Sequence, residues 1–581
     1  MVFTSPSWVP DLPFEIPDSI PIADFMRNDK YRALPLSQSK APFTCGLTGT
    51  TYSWATVLQR VEFLARGLSA HTGWQPNEGV AWDKVVGIFC VNTIDYIPLC
   101  YATHRLNGIP SLANMAYSAQ ELTHQLTSSS IRVLFTCQSL LPVALQAADA
   151  AGLPRSNIFL IPQRTDKLPL PSGFKTTDDL LTLGRNTHGL EALRWSKGQA
   201  RRQPAFLCYS SGTSGLPKAV MISHYNVIAN AIQTTTYESV GRKAKGVVTQ
   251  VMLGLLPMSH IYSLVLICHT SVCRGDNVVI LPKFELDTFL GAIQRFKIEQ
   301  LTVVPPIIVR LLAEREKCRQ FDLSSVRLVY CGAAPLGKQT IEELLKIYPS
   351  WTLGQGYGMT ESAVGISSTG ENDVLVMSSG SLLPGVKAKL VDVLGDGREI
   401  TELEKPGELW IQSPSVVLGY LHNEKANMET FVWDDQGRWL RTGDEVMFVR
   451  GERGHEHLVV VDRIKELIKV KGHQVAPAEL EAHILAHDAV ADCAVIQIPD
   501  ERSGEVPKAF VVRSAEVKGK SDDEVARMVL KHVEDHKASY KWIKGGIEFV
   551  AEIPKSPSGK ILRRLLRDRE REKRKAEGAK L

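Results

Sequence analysis

The stretch Tyr209-Ser-Ser-Gly-Thr-Ser-Gly-Leu-Pro-Lys-Ala-Val220 restricts what this chain can fold into more than any other. Ser210, Ser211, Gly212, Thr213, Ser214 and Gly215 follow one another directly, between the apolar runs Ala205-Phe-Leu-Cys208 and Ala219-Val-Met-Ile222. Runs of that kind read as buried strands. The connection between them can turn its backbone N–H groups and hydroxyls toward phosphate oxygens, and Gly212 and Gly215 remove side chains that would block a close approach. Lys218 adds a point charge suited to a polyphosphate. The G-x-x-x-x-G-K-[ST] spacing of a Walker A loop is not met. A flexible Ser/Gly linker is the plain alternative, but a linker seldom joins two buried strands.

The surrounding pattern fixes the class. Across 52–333, short apolar runs such as Val85-Val-Gly-Ile-Phe-Cys90 and Val133-Leu-Phe-Thr136 alternate with helical spacing at 119–126, and the same spacing recurs at 341–345. Alternation on this scale predicts α/β architecture with largely parallel sheets. Over 380–461 the texture changes to short strands with turns at Pro384-Gly385 and Pro406-Gly407, the mark of a small β-rich subdomain. A Lys/Arg-rich bend follows Asp462, then helix and strand patterns at 477–487 and 492–498. The expected division is a large domain over 1–463 and a small α+β domain over 464–581. A length of 581 residues suits several units.

Composition excludes several classes. With 44% hydrophobic and 22% charged residues the chain reads as soluble and globular, and a net charge of +4 gives no reason to expect nucleic acid. The ten cysteines show no C-x-x-C pair, so they read as buried thiols of a reducing compartment rather than metal ligands or catalysts. The first 24 residues lack the apolar core of a secretory signal. The greasiest window, 251–268, is interrupted by Pro257, Ser259 and His260, and reads as strand, loop and helix rather than a membrane span. Ala579-Lys580-Leu581 differs from the S-K-L peroxisomal address by one small-for-small change. It follows a basic stretch over 563–575 that also reads as a charged surface helix. The expected location is the peroxisome, through its import receptor, and otherwise the cytoplasm.

Four further stretches carry chemistry. In Gln355-Gly-Tyr-Gly-Met-Thr-Glu361, two glycines flank a ring that can stack, and Thr360 and Glu361 supply a hydroxyl and a hard oxygen ligand for Mg²⁺. A turn with a buried tyrosine is the plainer reading. In Trp439-Leu-Arg-Thr-Gly-Asp444 a carboxylate after a glycine turn can accept from two ribose hydroxyls, although a lone T-G-D is more often a turn or cap. Val461-Asp-Arg-Ile-Lys-Glu-Leu-Ile-Lys-Val-Lys-Gly-His-Gln-Val475 carries Arg463, Lys465, Lys469 and Lys471, which alone read as a solvated strand face. Pro554-Lys-Ser-Pro-Ser-Gly-Lys560 presents one lysine from a loop that could be mere surface.

In this order and register these motifs resemble the adenylate-forming superfamily, which includes acyl-CoA ligases, 4-coumarate–CoA ligases, firefly-type luciferases and peptide-synthetase adenylation domains. The resemblance covers 52–564 and is nearest to the 4-coumarate and fungal phenylacetate–CoA ligase branch. It implies an ATP-dependent acid–CoA ligase using Mg²⁺, ATP and coenzyme A, with a mobile C-terminal domain. Nucleotide binding would fall to Ser210, Ser211, Gly212, Thr213, Ser214, Gly215 and Lys218. Gly332, Ala333, Ala334 and Pro335 would join them, with Gln355, Gly356, Tyr357, Gly358, Met359 and Thr360, and with Asp444, Arg463 and Gln474. By the same resemblance Tyr357 stacks on adenine, Glu361 holds the metal, Asp444 and Arg463 meet the ribose, and Lys465 is the hinge. Lys560 serves acyl-adenylate formation; Lys469, Lys471 and Gly472 face the site when the thioester forms. His473 stands where relatives carry an aromatic residue, which puts the local packing in question.

His260, in Leu256-Pro-Met-Ser-His-Ile-Tyr262, is alone more often a satisfied core histidine. The resemblance places it beside the acyl pocket with Tyr262, Ser263, Tyr330, Gly332, Ala333, Gly356, Val364 and Gly365. Gly365, in place of a branched residue, suggests extra room at the pocket wall. The expected acid is aryl or medium-chain, possible sources including a fungal secondary pathway. One alternative is a stand-alone enzyme loading a carrier protein in trans; no carrier domain follows Lys560 in the sequence. A luciferase-like oxidation has no supporting feature, and a catalytically dead scaffold is disfavoured by the presence of Lys218, Glu361, Asp444, Arg463 and Lys560.

Overall fold

The computed structural model describes residues 2–163, 170–210, 217–334, 336–392, 395, 397–471, 473–500, 502–556 and 559–578. The apolar runs form strands because both of their faces are covered. Val85–Phe89, Ile109–Leu112, Val133–Thr136, Ile158–Leu160 and Pro204–Ser210 run parallel in an eight-stranded sheet. Lys218–Ser223 returns antiparallel along Pro204–Ser210, with Ser210 opposite Lys218. A nine-stranded sheet has the parallel core Val251–Gly254, Asn277–Ile280, Gln300–Val303, Leu328–Cys331 and Thr352–Met359, continued antiparallel by Val364–Ser368. After these the chain builds a six-stranded antiparallel sheet between Lys387 and Arg463.

The helix His224–Ala244 is buried on almost every side, so it shows no apolar stripe; its order is carried by polar groups instead. The Ser223 hydroxyl caps it by accepting from the Asn226 amide at 3.1 Å. The Asn226 side chain donates to the Pro414 and Val416 carbonyls (3.0 and 2.9 Å), and Asn230 exchanges two bonds with the Gly365 backbone (2.8 and 3.1 Å). Gln233 donates to the Pro384 carbonyl (2.8 Å) and the Tyr237 hydroxyl to the Ser368 carbonyl (2.5 Å). Steps of four, three and four residues keep these groups on one helix face. That face ties the loops around Gly365 and Val416 to the molecule's centre.

The greasy window resolves into the strand Val251–Gly254, a turn, and a nine-residue π-helix Tyr262–Thr270. Such helices are rare beyond a single turn. Here side chains reinforce the five-residue spacing: the His269 ring donates from Nδ1 to the Leu264 carbonyl (2.5 Å), and the Ser271 hydroxyl to that of Leu266 (3.3 Å). Among the described residues no helix is long and apolar enough to cross a membrane. All ten cysteines are free and nine of them are buried.

The tail builds its own core. Gly504–Arg513 pairs antiparallel with Val490–Asp500 and with Ile468–Val470, and parallel with Ile547–Phe549. Ile468, Val470, Leu480, Ile484, Val511, Val529 and Val533 fill one cluster beneath the helices Pro477–Leu485 and Asp522–His536. The Ile464 amide still bonds to the Gly443 carbonyl of the β-rich sheet (3.0 Å), so the chain changes domain over 464–467. Arg563 secures the last helix, donating to Glu466 (2.5 Å) and Glu481 (2.7 Å).

One buried side chain holds the two large sheets in register beside the site. Asn92, just past Val85–Phe89, shares its amide protons among the carbonyls of Leu255, Leu256 and Leu281 (2.9, 3.0 and 3.2 Å) and accepts from the Met258 amide (2.8 Å). It thereby fixes the turn that carries His260. Removing these partners strands several buried polar groups, each at about 1–3 kcal/mol. We expect Asn92→Ala to lower stability by about 3–5 kcal/mol in urea unfolding; a loss under about 1 kcal/mol would show that the two sheets do not depend on it.

Candidate active site

Lys560 enters the large domain from the tail. The loop that carries it closes on itself: the Gly559 amide donates to the Ser556 carbonyl, and the Ser556 amide to that of Lys560, both at 2.8 Å. Gly559 has φ +80°, and a Cβ there would lie 3.2 Å from both Val304 Cγ2 and Pro306 Cδ. Backbone conformation and close approach to the large domain both call for glycine. Delivered this way, the ammonium sits near His260 and among the charges of Arg463, Glu466, Asp444 and Glu361. Burial, and then the neighbouring Arg463 charge, push the lysine down to about 8, although Glu466, Asp444 and Glu361 oppose the shift.

Two of these carboxylates have well-defined partners. Asp444 and Arg463 face one another across the strands Gly437–Arg450 and Glu456–Arg463, with Nε 3.4 Å from the carboxylate. The Tyr357 hydroxyl donates to the other oxygen of Asp444 at 2.6 Å. Glu361 is buried, and one of its oxygens accepts from the Ser210 hydroxyl (3.2 Å) and the Tyr420 hydroxyl (2.8 Å). The Lys218 ammonium lies 4.9 Å over the Tyr420 ring. Among the described residues no ion pair compensates the Glu361 carboxylate. Thr360 opens the short helical turn Thr360–Ser362, which Ala363 leaves at φ +50° and Val364 at φ +103°. Strain of this kind persists only where the surroundings over-determine it. A Cβ on Gly358 would lie 1.6 Å from the Val364 carbonyl oxygen, so only glycine fits beneath that turn.

A second group of the expected residues is built around Tyr330. Its ring lies across Gly354 and Gly356, where a Gly356 Cβ would come within 2.0 Å of the hydroxyl. That hydroxyl bonds with Ser368 Oγ at 2.8 Å. Tyr262 donates to the Tyr330 carbonyl (3.3 Å) and fills the space beside Gly332. Ser263 is buried in the π-helix, and half-buried His260 accepts the Tyr262 amide at Nδ1 (3.3 Å). Ala333 has φ +69°, Ala334 is half-buried beside it, and the Gln355 carbonyl oxygen of the side chain accepts the Leu336 amide (3.2 Å). The Met359 amide donates to Ser362 Oγ (3.2 Å). The extra room expected behind Gly365 is filled: a Cβ there would meet Leu383 Cδ1 at 2.8 Å and Asn230 Oδ1 at 3.3 Å. Glycine at that point accommodates the helix His224–Ala244 rather than widening the pocket.

Other expected residues lie on the tail domain. Lys469 and Gln474 face one another in the hairpin of Ile468–Val470 with His473–Val475; Lys469 is exposed, as is Lys471, which has φ +48°. Lys465 is exposed on the crossing segment. His473 stacks on Tyr540 with ring centroids 4.3 Å apart and planes 18° apart, so the departure from an aromatic residue leaves stacking intact. Ser211, Gly212, Thr213, Ser214, Gly215, Pro335, Gly472 and the tripeptide 579–581 lie outside the described residues.

Residues 37–421 match the model of the AMP-binding enzyme family, and 479–560 that of the AMP-binding enzyme C-terminal domain. The chain belongs to the AMP-binding enzyme family. Among curated relatives, the acyl-CoA ligase easD of Emericella nidulans is 41% identical over 571 residues, covering 98% of this chain and 100% of that protein. The acyl-CoA ligase AFT1-1 of Alternaria alternata is 40% identical, with 98% and 97% covered. The fold is shared with the anthranilate CoA ligase AuaEII in complex with anthranoyl-AMP (TM-score 0.78, 24% identity, 95% of this chain and 97% of that one). It is also shared with ATP-bound MatB from Rhodopseudomonas palustris (TM-score 0.75, 25% identity, 94% and 99% covered).

Within this AMP-binding enzyme, sequence reasoning missed Tyr420, Val304, Pro306, Glu466 and Asn92. Gly419-Tyr420 gave a faint signal, a glycine with φ +146° before a ring; the others depend on long-range packing. Burial, followed by the Lys560 charge, pushes His260 down to about 4, so it stays neutral near neutrality. Lys560 is the group whose charge changes in the working range. A protonated lysine stabilises developing phosphate charge, and that assistance fades as pH rises through the lysine value. We therefore expect kcat/KM for ATP in acid-dependent pyrophosphate exchange to fall above an apparent pKa of about 8. Lys560→Arg, with its guanidinium above about 12, is expected to be slower but to lose this limb. An unchanged limb in that variant would assign the titration elsewhere.

Proposed function

We propose that this acid–CoA ligase activates an aryl or medium-chain acid between Lys560 and Tyr330, and uses opposite faces of its tail domain for its two half-reactions. ATP and the acid give an acyl-adenylate and pyrophosphate; the CoA thiol then takes the acyl group and AMP leaves. The observation that carries the reading is convergence: Lys560, from the tail, shares one site with Asp444, Arg463, Tyr357 and Glu361. In the first step the acid carboxylate attacks the α-phosphorus in line, and positioning with charge neutralisation dominates. Asp444 is placed to accept ribose hydroxyls once Tyr357 turns its ring to adenine. Lys218 and Lys560 meet the phosphate charge from two sides, and His260, neutral, borders the carboxylate.

Glu361 fits a Mg²⁺ ligand, because it is a buried carboxylate held by two neutral hydroxyls and making no direct ion pair among the described residues, although Lys560 and Arg463 act on it from farther away. Bound there, the ion would neutralise phosphate charge; Ser210 and Tyr420 hold the carboxylate in place for it. The exposed position of Lys469 and Lys471, with half-buried Gln474 beside them, suits the second step: rotation about Lys465 would withdraw Lys560 and turn this hairpin inward for CoA. Ala579-Lys580-Leu581 we read as a peroxisomal import address, presented after the basic helix Arg563–Gly578.

The substrate class rests on Tyr330. Beyond its ring lies a cavity of about 160 Å³ lined by Tyr237, Glu238, Gln250, Gln300 and Asp373. Tyr330, bonded to Ser368, lines this cavity, and we read its ring as the partition at which the acid would end. The resemblance to 4-coumarate and phenylacetate ligases puts aryl acids in scope, and the family's acyl-CoA ligases put aliphatic ones. The test is a panel of acids in pyrophosphate release, with CoA, pantetheine and a carrier protein as competing acceptors. We expect CoA to be preferred and activity to drop for acids too long to end at Tyr330. Tyr330→Ala is expected to restore longer chains, by about fourfold in kcat/KM per methylene newly buried. Preference for a carrier protein would favour loading in trans, and an unchanged length profile in Tyr330→Ala would remove the partition.

A further inference from the structure

We propose that the tail domain holds one divalent transition-metal ion of borderline softness, Zn²⁺ or a close equivalent, through the imidazoles of His483, His532 and His536. The site lies between the helices Pro477–Leu485 and Asp522–His536, and none of its histidines has a role in the ligase reading above. His483 and His487 are four residues apart, as are His532 and His536, so each pair projects on one side of its own segment. The two segments bring the pairs together. The His483 and His532 rings lie 4.3 Å apart and nearly parallel, His536 is 5.5 and 5.1 Å from them, and His487 is 5.2 Å from His532. One ring nitrogen from each of His483, His532 and His536 falls within 4.8 Å of the other two.

Hydrogen bonding prepares these rings as ligands. His483 Nε2 bonds to the His532 carbonyl and His532 Nε2 to the His483 carbonyl, both at 3.2 Å, and His536 Nδ1 bonds to the His532 carbonyl at 2.8 Å. A carbonyl oxygen only accepts, so each of those nitrogens carries the proton. The other nitrogen of each ring keeps its lone pair. A metal-bound histidine usually shows this arrangement, its second nitrogen donating to a backbone carbonyl. His487 accepts the Ala489 amide at Nδ1 (3.1 Å), so its proton sits on Nε2 and the ring stands beside the cluster rather than among its ligands.

Tetrahedral Zn–N bonds of about 2.0–2.1 Å bring ligand nitrogens to about 3.3 Å of one another. Closing from 4.8 Å takes side-chain rotation, which the half-buried rings of His483 and His532 and the exposed ring of His536 allow. Three imidazoles without a carboxylate or thiolate suit Zn²⁺, Cu²⁺ or Ni²⁺ and not the Mg²⁺ that accompanies ATP. Bound, the ion would clip the two helices together. The first of these is anchored at the domain crossing, where the Ala478 amide donates to Asp462 at 3.0 Å.

The test uses the full-length protein in excess Mg²⁺, with Zn²⁺ partitioned against a chromophoric chelator and Co²⁺ as a spectroscopic stand-in. We expect one equivalent of Zn²⁺, and Co²⁺ visible absorption without a thiolate charge-transfer band. His532→Gln/His536→Gln is expected to weaken binding by more than the 10–100-fold that losing an outer-shell partner costs. No binding by the parent protein, equal affinity in the variant, or a thiolate band would each overturn the proposal. Should the variant fail to fold, X-ray absorption on the parent protein decides: three or more imidazole nitrogens at about 2.0–2.1 Å support the site, and any other first shell contradicts it.

Discussion

One half-buried ammonium organises this molecule. Lys560 sits beside the guanidinium of Arg463, a like charge, in a place where taking a cation from water is costly. The arrangement holds because Glu466, Asp444 and Glu361 surround it with opposite charge, and because Gly559 lets the loop pack against Val304 and Pro306. Both basic groups thus face carboxylates, and on the proposed reading this charge pattern is laid out before a polyphosphate arrives. Such preorganisation is where enzymes gain most in phosphoryl chemistry.

The rest of the fold holds the large-domain half of the site still. Asn92 joins the ends of two sheets and fixes the turn bearing His260. The amide stripe of the helix His224–Ala244 reaches the Gly365 and Val416 loops. The tail, in contrast, has its own core and is joined to the large domain by the short segment 464–467. A rigid half and a separately folded half meeting at one lysine is the architecture that a two-step reaction requires, since the acyl-adenylate must be shielded while it forms and exposed to a thiol afterwards.

Much of this was legible in the sequence. The α/β class followed from apolar runs such as Val85-Val-Gly-Ile-Phe, because a strand covered on both faces tolerates little else. The motifs around Tyr357, Glu361, Asp444 and Lys560 were visible because their chemistry needs particular side chains, and the fold gathers them at one place. What escaped depends on contacts between distant segments. Asn92 is one polar residue in an apolar stretch, and nothing local announces its four partners. The π-helix required His269 and Ser271 to bond five residues back. The room imagined at Gly365 was judged from the missing side chain alone, whereas Leu383 and Asn230 decide what occupies that space.

The most direct measurement separates the two half-reactions in Lys560→Ala. On the proposed two-face reading Lys560 serves the ATP step, so the variant is expected to lose acid-dependent adenylate formation while still converting supplied acyl-adenylate and CoA to the thioester at a near-parental rate. Equal loss of both half-reactions, or retention of adenylate formation, would contradict the account.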